Sequence, residues 1–582
     1  MSTTTTTHEN GQGLQLQSDN VGALPLLNRF IKRMRLEEFL RKRVPAGDPR
    51  QKLEPAVGLL LLLRNIMISR TPLYRLGEWA ERFDPRLLGL PAEALDYLND
   101  DRSGRCLDLL FRADRGTLTT EIVVWVAKEF DLDLTQLHND STTITVTGEY
   151  PDADGQPAHG QATHRIARGH SKDYRPDLKQ LLFILTTTAD GSVPIWCNVD
   201  HGNTTDDTTH IATWDTLHKL TGRPDFLYVA DCKLASAENT SYIDQNGGRF
   251  VTVMPATWRE HAQFYEQLRT SEIPWIDVLS KPSARSKKDT PAIYRGYEHP
   301  QKTSHGFRVL WYWSSQKAAN DRTAREHRIE SVERALQELR ERVGQPRSRL
   351  KTIEAVTEAA QKIVSEKNAE AWVNIQVETQ EVEYKEQMGP GRPGANTPYR
   401  VRKETTVSLH WQLNAQALQD EAATDGVFPL LTNDRDISVK DTLVAYKHQP
   451  SLEKRHQQLK SVLQVRPVML QNHLRIEALL FVYFLALLTE ALIERETRNR
   501  MRKLELKQIA IYGEGKPSSA PTTDALIQLL DGLRRYRLVD KSGRVVQRFY
   551  DEVSDAQRVV MRLHNLTAQQ YMSAAEEDVG RG

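Results

Sequence analysis

Three carboxylates stand out from the 77 acidic residues of this 582-residue chain. Asp140 follows "QLHN" in a β-branched run, and Asp231 closes the apolar "DFLYVA". Glu453 lies in "YKHQPSLEKRHQQLKS", Tyr446 to Ser461. A carboxylate at the end of an apolar strand is costly unless it is paired, hydrogen-bonded or holding a metal. Ligand sites also gather at strand ends in open α/β sheets. Taken singly, each aspartate reads as a strand-end cap or turn residue, as do Asp200, Asp206, Asp207, Asp434 and Asp436. Taken together, two aspartates on neighbouring strands and a glutamate on a later helix suffice to hold two Mg²⁺ ions, which want oxygen ligands and keep some water. Two such ions ~4 Å apart activate an attacking oxygen and stabilise the leaving one in phosphodiester cleavage.

The elements that must position these residues follow from periodicity and punctuation. Residues 1–20, with the polar "MSTTTTTHENGQG", read as a disordered tail and not as a signal peptide. Residues 21–130 read as all-helical, from "LEPAVGLLLLLRNIMISR" and "PLYRLGEWAERF" with Pro and Gly between segments. Within them Arg29, Lys32, Arg33, Arg35, Arg41, Lys42 and Arg43 crowd against Glu37 and Glu38, either as a solvated helix face or as a phosphate-contacting surface. From 131 to 258 the order is three strands, helix, strand, helix, strand, with a hairpin around Asp190-Gly191 and a helix ended by Gly222. That order predicts an α/β fold, a mixed sheet with helices on both faces. Residues 259–431 break the pattern. A strand, two charged helices joined at "GQPRS" and two alternating strands linked by "MGPGRPGANTP" form an α+β insertion. A strand and two long helices return over 432–500, ahead of a mixed C-terminal region, 501–582.

Composition bounds the rest. Apolar content of 39% with 27% charge is that of a soluble globular protein, and a net charge of +1 neither argues for nucleic acid nor excludes it. Cys106, Cys197 and Cys232 are few and far apart, as suits reduced thiols in a cytoplasm. His159, His164, His170, Cys197 and His201 lack the paired spacing of a zinc site. The apolar run Ala478 to Ile493 is shorter than the ~20 residues of a membrane span. With Glu477, Glu490 and Glu494 bracketing or interrupting it, it reads as a buried core helix.

The run around Glu453 resembles a family signature, Y-x2-R-x3-E-x6-K, through Tyr446, Glu453 and Lys460, with Gln449 in place of the arginine. "HNDST", "GHSKDYRPDLKQ", "VADCKLASAEN" and "RIEALLFVYFLALL" are similar to blocks of the same family, the bacterial insertion-sequence transposases of the DDE class, over roughly residues 20 to 500. The resemblance implies an RNase H-like catalytic fold with a β-rich insertion before the glutamate helix. It implies Asp140, Asp231 and Glu453 as catalytic and metal ligands for two Mg²⁺ ions, with Mn²⁺ able to substitute. The expected activity is cleavage at terminal inverted repeats and joining of 3′ ends to target DNA. Expected partners are double-stranded DNA and a second copy of the chain, in a bacterial cytoplasm and away from membranes. An RNase H-like nuclease without strand transfer and an inactive DNA-binding descendant are the alternatives. Tyr446, Gln449 and Lys460 are expected to hold the cleaved end, and Arg29, Lys32 and Arg33 to lie in an end-binding front domain. Positions 446, 449, 453 and 460 suit one helix face, although Pro450 disfavours helix at Gln449. An uncharged Gln449 should tolerate truncation, leaving Lys460 the larger electrostatic role.

Overall fold

The computed structural model describes residues 14–576 apart from 49, 51, 282–290, 346, 395–396, 466–469 and 513–514. Most of the expected N-terminal tail, residues 1–13, lies outside the described residues. Two compact units are present: residues 1–252 with 444–582, and residues 253–443.

The first unit opens with a strand, β1 (Gln15–Asn20), and six helices. These are α1 (Leu24–Arg33), α2 (Leu36–Arg43), α3 (Pro55–Ile68), α4 (Leu76–Ala80), α5 (Asp100–Arg112) and α6 (Arg115–Glu129). Pro55 starts α3, where its missing N–H costs nothing, and Leu59 to Leu63 are buried on every side of it. The side chains of Asn99 and Asp114 cap α5 and α6 by accepting amides of their first turns.

The expected alternation then appears in order: β2 (Gln136–Val146), β3 (Lys179–Thr188), β4 (Pro194–Asp200), α7 (His210–Thr221), β5 (Leu227–Val229), α8 (Ala237–Gln245) and β6 (Arg249–Val253). These strands run in the order β4-β3-β2-β5-β6. The β2–β3 and β3–β4 pairs are antiparallel, and β2–β5 and β5–β6 are parallel, so the sheet is mixed. Gly191 turns the β3–β4 hairpin at φ 81°, and Gly222 ends α7 at φ 71°.

The second unit contains α9 (Arg259–Thr270), β7 (Ile276–Lys281), β8 (Ala292–Glu298), β9 (Arg308–Ser314), α10 (Ser315–Arg342), α11 (Ile353–Glu366), β10 (Val373–Gln387), β11 (Tyr399–Leu413), α12 (Ala415–Ala422) and β12 (Val427–Thr432). Strands β12, β9, β8 and β7 pair antiparallel in that order. The charged helices α10 and α11 are not free-standing. They close a core of their own with the β10–β11 ribbon, built on Val332, Leu336, Val356, Ala360, Trp372 and Leu409. The unit begins and ends at 253 and 443, wider on both sides than the 259–431 expected.

Helix α13 (Val439–Tyr446) leads back into the first unit. There α14 (Gln449–Gln457), a π-turn (Gln458–Val462) and the long α15 (His473–Lys503) follow. α15 is the one described helix long and apolar enough to cross a membrane, and 94% of its apolar window is buried inside the protein. The remainder forms β13 (Ile509–Ala510), β14 (Pro517–Ser518), α16 (Thr523–Leu530), β15 (Arg534–Val539), β16 (Val545–Tyr550), α17 (Asp555–Leu563) and α18 (Ala568–Met572). Strand β15 pairs antiparallel with β1, Gln15 opposite Val539, and Arg537 binds Asp19 at 2.7 Å. Residues 15–20 therefore correct the reading of 1–20 as a tail. They form an ordered strand because the C-terminal region supplies its partner.

Candidate active site

Strands β2 and β5 are parallel neighbours, with His138 opposite Val229. Two residues further along each chain stand Asp140 and Asp231, so the fold brings the two sequence-picked aspartates side by side. Asp231 also caps the short helical turn after β5 by accepting the Lys233 amide at 3.0 Å. Its local cap role and its place beside Asp140 are both real.

The surroundings of the pair are charged. Lys172, in the loop between β2 and β3, places its Nζ 2.8 Å from Asp206 and 3.7 Å from Asp140. It also donates to the Ser141 carbonyl and hydroxyl, each at 2.8 Å, and the Ser141 hydroxyl donates to Asp206 at 2.6 Å. From α14, His456 sets its Nδ1 3.5 Å from the other oxygen of Asp140. Burial pushes the Asp140 carboxyl up, but His456 and Lys172 outweigh it and hold the group below the ordinary aspartate value. Asp231 goes the other way. Burial, then the like charges of Asp140 and Asp206, raise it against the pull of the Lys233 amide and Lys172.

Glu453 is exposed on α14. Tyr446 lies within reach of its field and of Asp231's. Burial first, then the charges of Asp231, Cys232 and Glu453, push the Tyr446 hydroxyl up to about 12. Among the described residues, no three His, Cys, Asp or Glu side chains are gathered closely enough to hold a metal ion. The oxygen donors side by side on β2 and after β5 are Asp140 and Asp231, a pair that suits a hard divalent cation.

The signature positions do not share one regular helix face. Tyr446 closes α13, Pro450 sits in the first turn of α14 after the break, and Lys460 falls in the π-turn. Lys460 pairs with Asp173 at 2.8 Å. Gln449 is buried. Its oxygen meets His138 Nδ1 at 3.1 Å and its amide donates to the Asn139 carbonyl at 3.1 Å, which pins α14 to β2 one residue from Asp140. Arg455 anchors the same helix from its other side, donating to the Gly191 and Ser192 carbonyls and pairing with Glu494 at 2.9 Å, both side chains only 4% exposed.

The basic stretch of the front helices is largely matched inside the first unit. Arg33 binds Glu129 and Glu496, Arg35 binds Glu38, Arg41 binds Glu37 and Glu54, and Lys42 and Arg43 share Glu121. Lys32 is exposed, and neither it nor Arg29 has an ion pair among the described residues. Reasoning from sequence missed Lys172, Ser141, Asp206 and His456. Lys172 lies in the "GHSKDYRPDLKQ" block, and Asp206 reads as a turn residue until the fold sets both against Asp140.

A family model described as "Domain of unknown function (DUF4277)" matches residues 16–124, the span of β1 through most of α6. No curated protein matches the chain. A solved piggyBac transposase synaptic complex with hairpin DNA is similar at a TM-score of 0.36 and 9% identity, over 87% of this chain and 76% of that one. The Mos1 mariner paired end complex with Mn is similar at a TM-score of 0.13 and 15% identity, over 38% of this chain and 65% of that one. At these scores neither likeness fixes a fold or a function.

Proposed function

We propose that the chain is a DNA transposase of the DDE class, cutting double-stranded DNA at element ends and joining 3′ ends to a target. The observation that carries the reading is the placement of Asp140, within β2, beside Asp231, just past the end of the parallel strand β5, with Tyr446 in the field of both Asp231 and Glu453. Asp140 and Asp231 would hold Mg²⁺ or Mn²⁺, and Glu453 would join them from α14. The metal would supply charge stabilisation on the phosphate and an activated oxygen. The protein's own residues do the positioning. His456 and Lys172 keep Asp140 ionised, while Gln449 and Arg455 fix the helix that carries Glu453. Lys460 would reach a DNA phosphate by leaving Asp173, and the exposed Lys32 and half-buried Arg29 are front-helix cations that could meet DNA. Arg33 would have to leave Glu129 and Glu496. A homodimer on paired ends belongs to the same reading.

The alternative reading is a DNA-binding descendant without catalysis. Cleavage separates the two. Inverted repeats flanking the reading frame define the substrate, and purified protein is assayed on it for Mg²⁺-dependent cutting. Asp140→Asn, Asp231→Asn and Glu453→Gln are each expected to abolish cutting, with end binding held by phosphate contacts elsewhere. A wild-type protein that binds ends but never cuts them supports the inactive reading. Cutting without joining supports a nuclease.

A further inference from the structure

The carboxylates on β2 and beside it already have a cation. The Lys172 ammonium has three N–H donors, and its acceptors are Asp206 and the carbonyl and hydroxyl of Ser141, all at 2.8 Å. Asp140, at 3.7 Å, is held by charge alone. The side chain is more than two-thirds buried, so water screens the ammonium only in part. Asp206 is fixed in turn by the Ser141 hydroxyl, so lysine, serine and aspartate form one closed set beside Asp140. Three carboxylates, Asp140, Asp206 and Asp231, thus lie in the field of this one ammonium, with His456 beside Asp140 as well. A solvated surface pair has no such arrangement. Here the lysine comes from a loop remote in sequence and meets the backbone of the strand that carries Asp140.

We propose that Lys172 is the resident counter-cation of this site: it neutralises Asp140 and Asp206 while no metal is bound, and it lowers the affinity of the Asp140–Asp231 pair for a divalent ion. The inference rests on the proposed function, since it takes those two aspartates as the metal ligands. Its physical basis is simple. An incoming divalent ion meets a like charge already beside one of its ligands, and that charge must be displaced or tolerated. Asp206 gains a role as well. It is the anchor that keeps the ammonium within range of Asp140.

The test is Mn²⁺ binding to the full-length protein without DNA, read from the loss of the free-ion electron paramagnetic resonance signal. Lys172→Met removes the charge and Lys172→Arg keeps it. Lys172→Gln removes the charge but keeps N–H donors for Ser141 and Asp206, so a folding defect of the methionine variant does not decide the result. Lys172→Met and Lys172→Gln should each bind Mn²⁺ about tenfold more tightly than wild type, the effect of ~1.4 kcal/mol, and Lys172→Arg should match wild type. Unchanged or weaker binding by a folded Lys172→Gln overturns the proposal. Asp231→Asn is measured in both the wild-type and Lys172→Gln backgrounds. If it removes Mn²⁺ binding while Lys172→Gln leaves the affinity unmoved, the lysine inference fails alone. If it leaves Mn²⁺ binding intact, the ion sits elsewhere and the proposed active site fails with it.

Discussion

Gln449 occupies the signature position of an arginine, and its surroundings show why a glutamine fits there. The side chain lies between the His138 ring and the Asn139 carbonyl, each 3.1 Å from one end of its amide. An amide can accept from one and donate to the other, whereas a guanidinium can only donate. The tolerance of truncation expected from its lack of charge therefore gives way to a structural cost. Gln449→Ala should lose about 1–3 kcal/mol of stability in urea titrations, because two buried polar groups lose their partner. Gln449→Arg should be destabilised too, because a buried guanidinium cannot accept from the His138 ring. A Gln449→Ala variant with wild-type stability and only a cleavage defect would return this residue to the DNA-contacting role. Asp231 was legible at this scale because a carboxylate closing an apolar strand is costly enough to stand out, and Asp140 because it interrupts a β-branched run, although it lies inside β2 and not at its end. Lys172 and Asp206 were not, because a lysine in a polar loop and an aspartate in a turn look solvated until β2 and β3 fold together.

At the scale of elements, α15 shows how an apolar run carries charge through a core. Glu477 receives the His164 amide at 2.9 Å and lies 3.7 Å from Arg115. Glu494 pairs with Arg455 at 2.9 Å. Between them Glu490 is buried, and neither of its carboxyl oxygens has a hydrogen-bond partner among the described residues. Burial first, then the charge of Glu494, push its carboxyl up to about 8, against the pull of Arg455 and Arg70. The folded value lies above the ordinary 4.5, so the native state keeps a proton that the unfolded chain gives up. The contribution is full below about pH 4.5 and is lost as pH rises towards 8. Glu490→Gln should flatten that fall and raise Tm more at pH 8.5 than at pH 5 in thermal melts. Equal shifts at both values would mean that Glu490 is ionised throughout. The hydropathy of residues 478–493 made the buried helix readable in advance. The break between α13 and α14 was half legible through Pro450, but the π-turn that receives Lys460 leaves no mark in residue spacing.

For the whole molecule, the order of strands and helices over 131–258 was readable because hydrophobic period and turn residues are local signals. The boundaries of the second unit and the pairing of β1 with β15 were not, since Gln15 and Val539 meet only after the chain between them has folded. The front helices illustrate the same limit. A cluster of arginines reads as a nucleic-acid surface until Glu121, Glu129 and Glu496 arrive from other helices to match it. The central claim is different in kind: two aspartates from parallel neighbouring strands hold the metal that cuts DNA. It is tested most directly by changing the ligand and the ion together. Asp231→Cys replaces a hard oxygen donor with a thiolate, which Mn²⁺ accepts more readily than Mg²⁺ does. End cleavage by this variant should be absent in Mg²⁺ and partly restored in Mn²⁺, while Asp231→Asn stays inactive in both. Cleavage by Asp231→Cys at the wild-type rate in Mg²⁺, or by Asp231→Asn in either ion, would contradict the account.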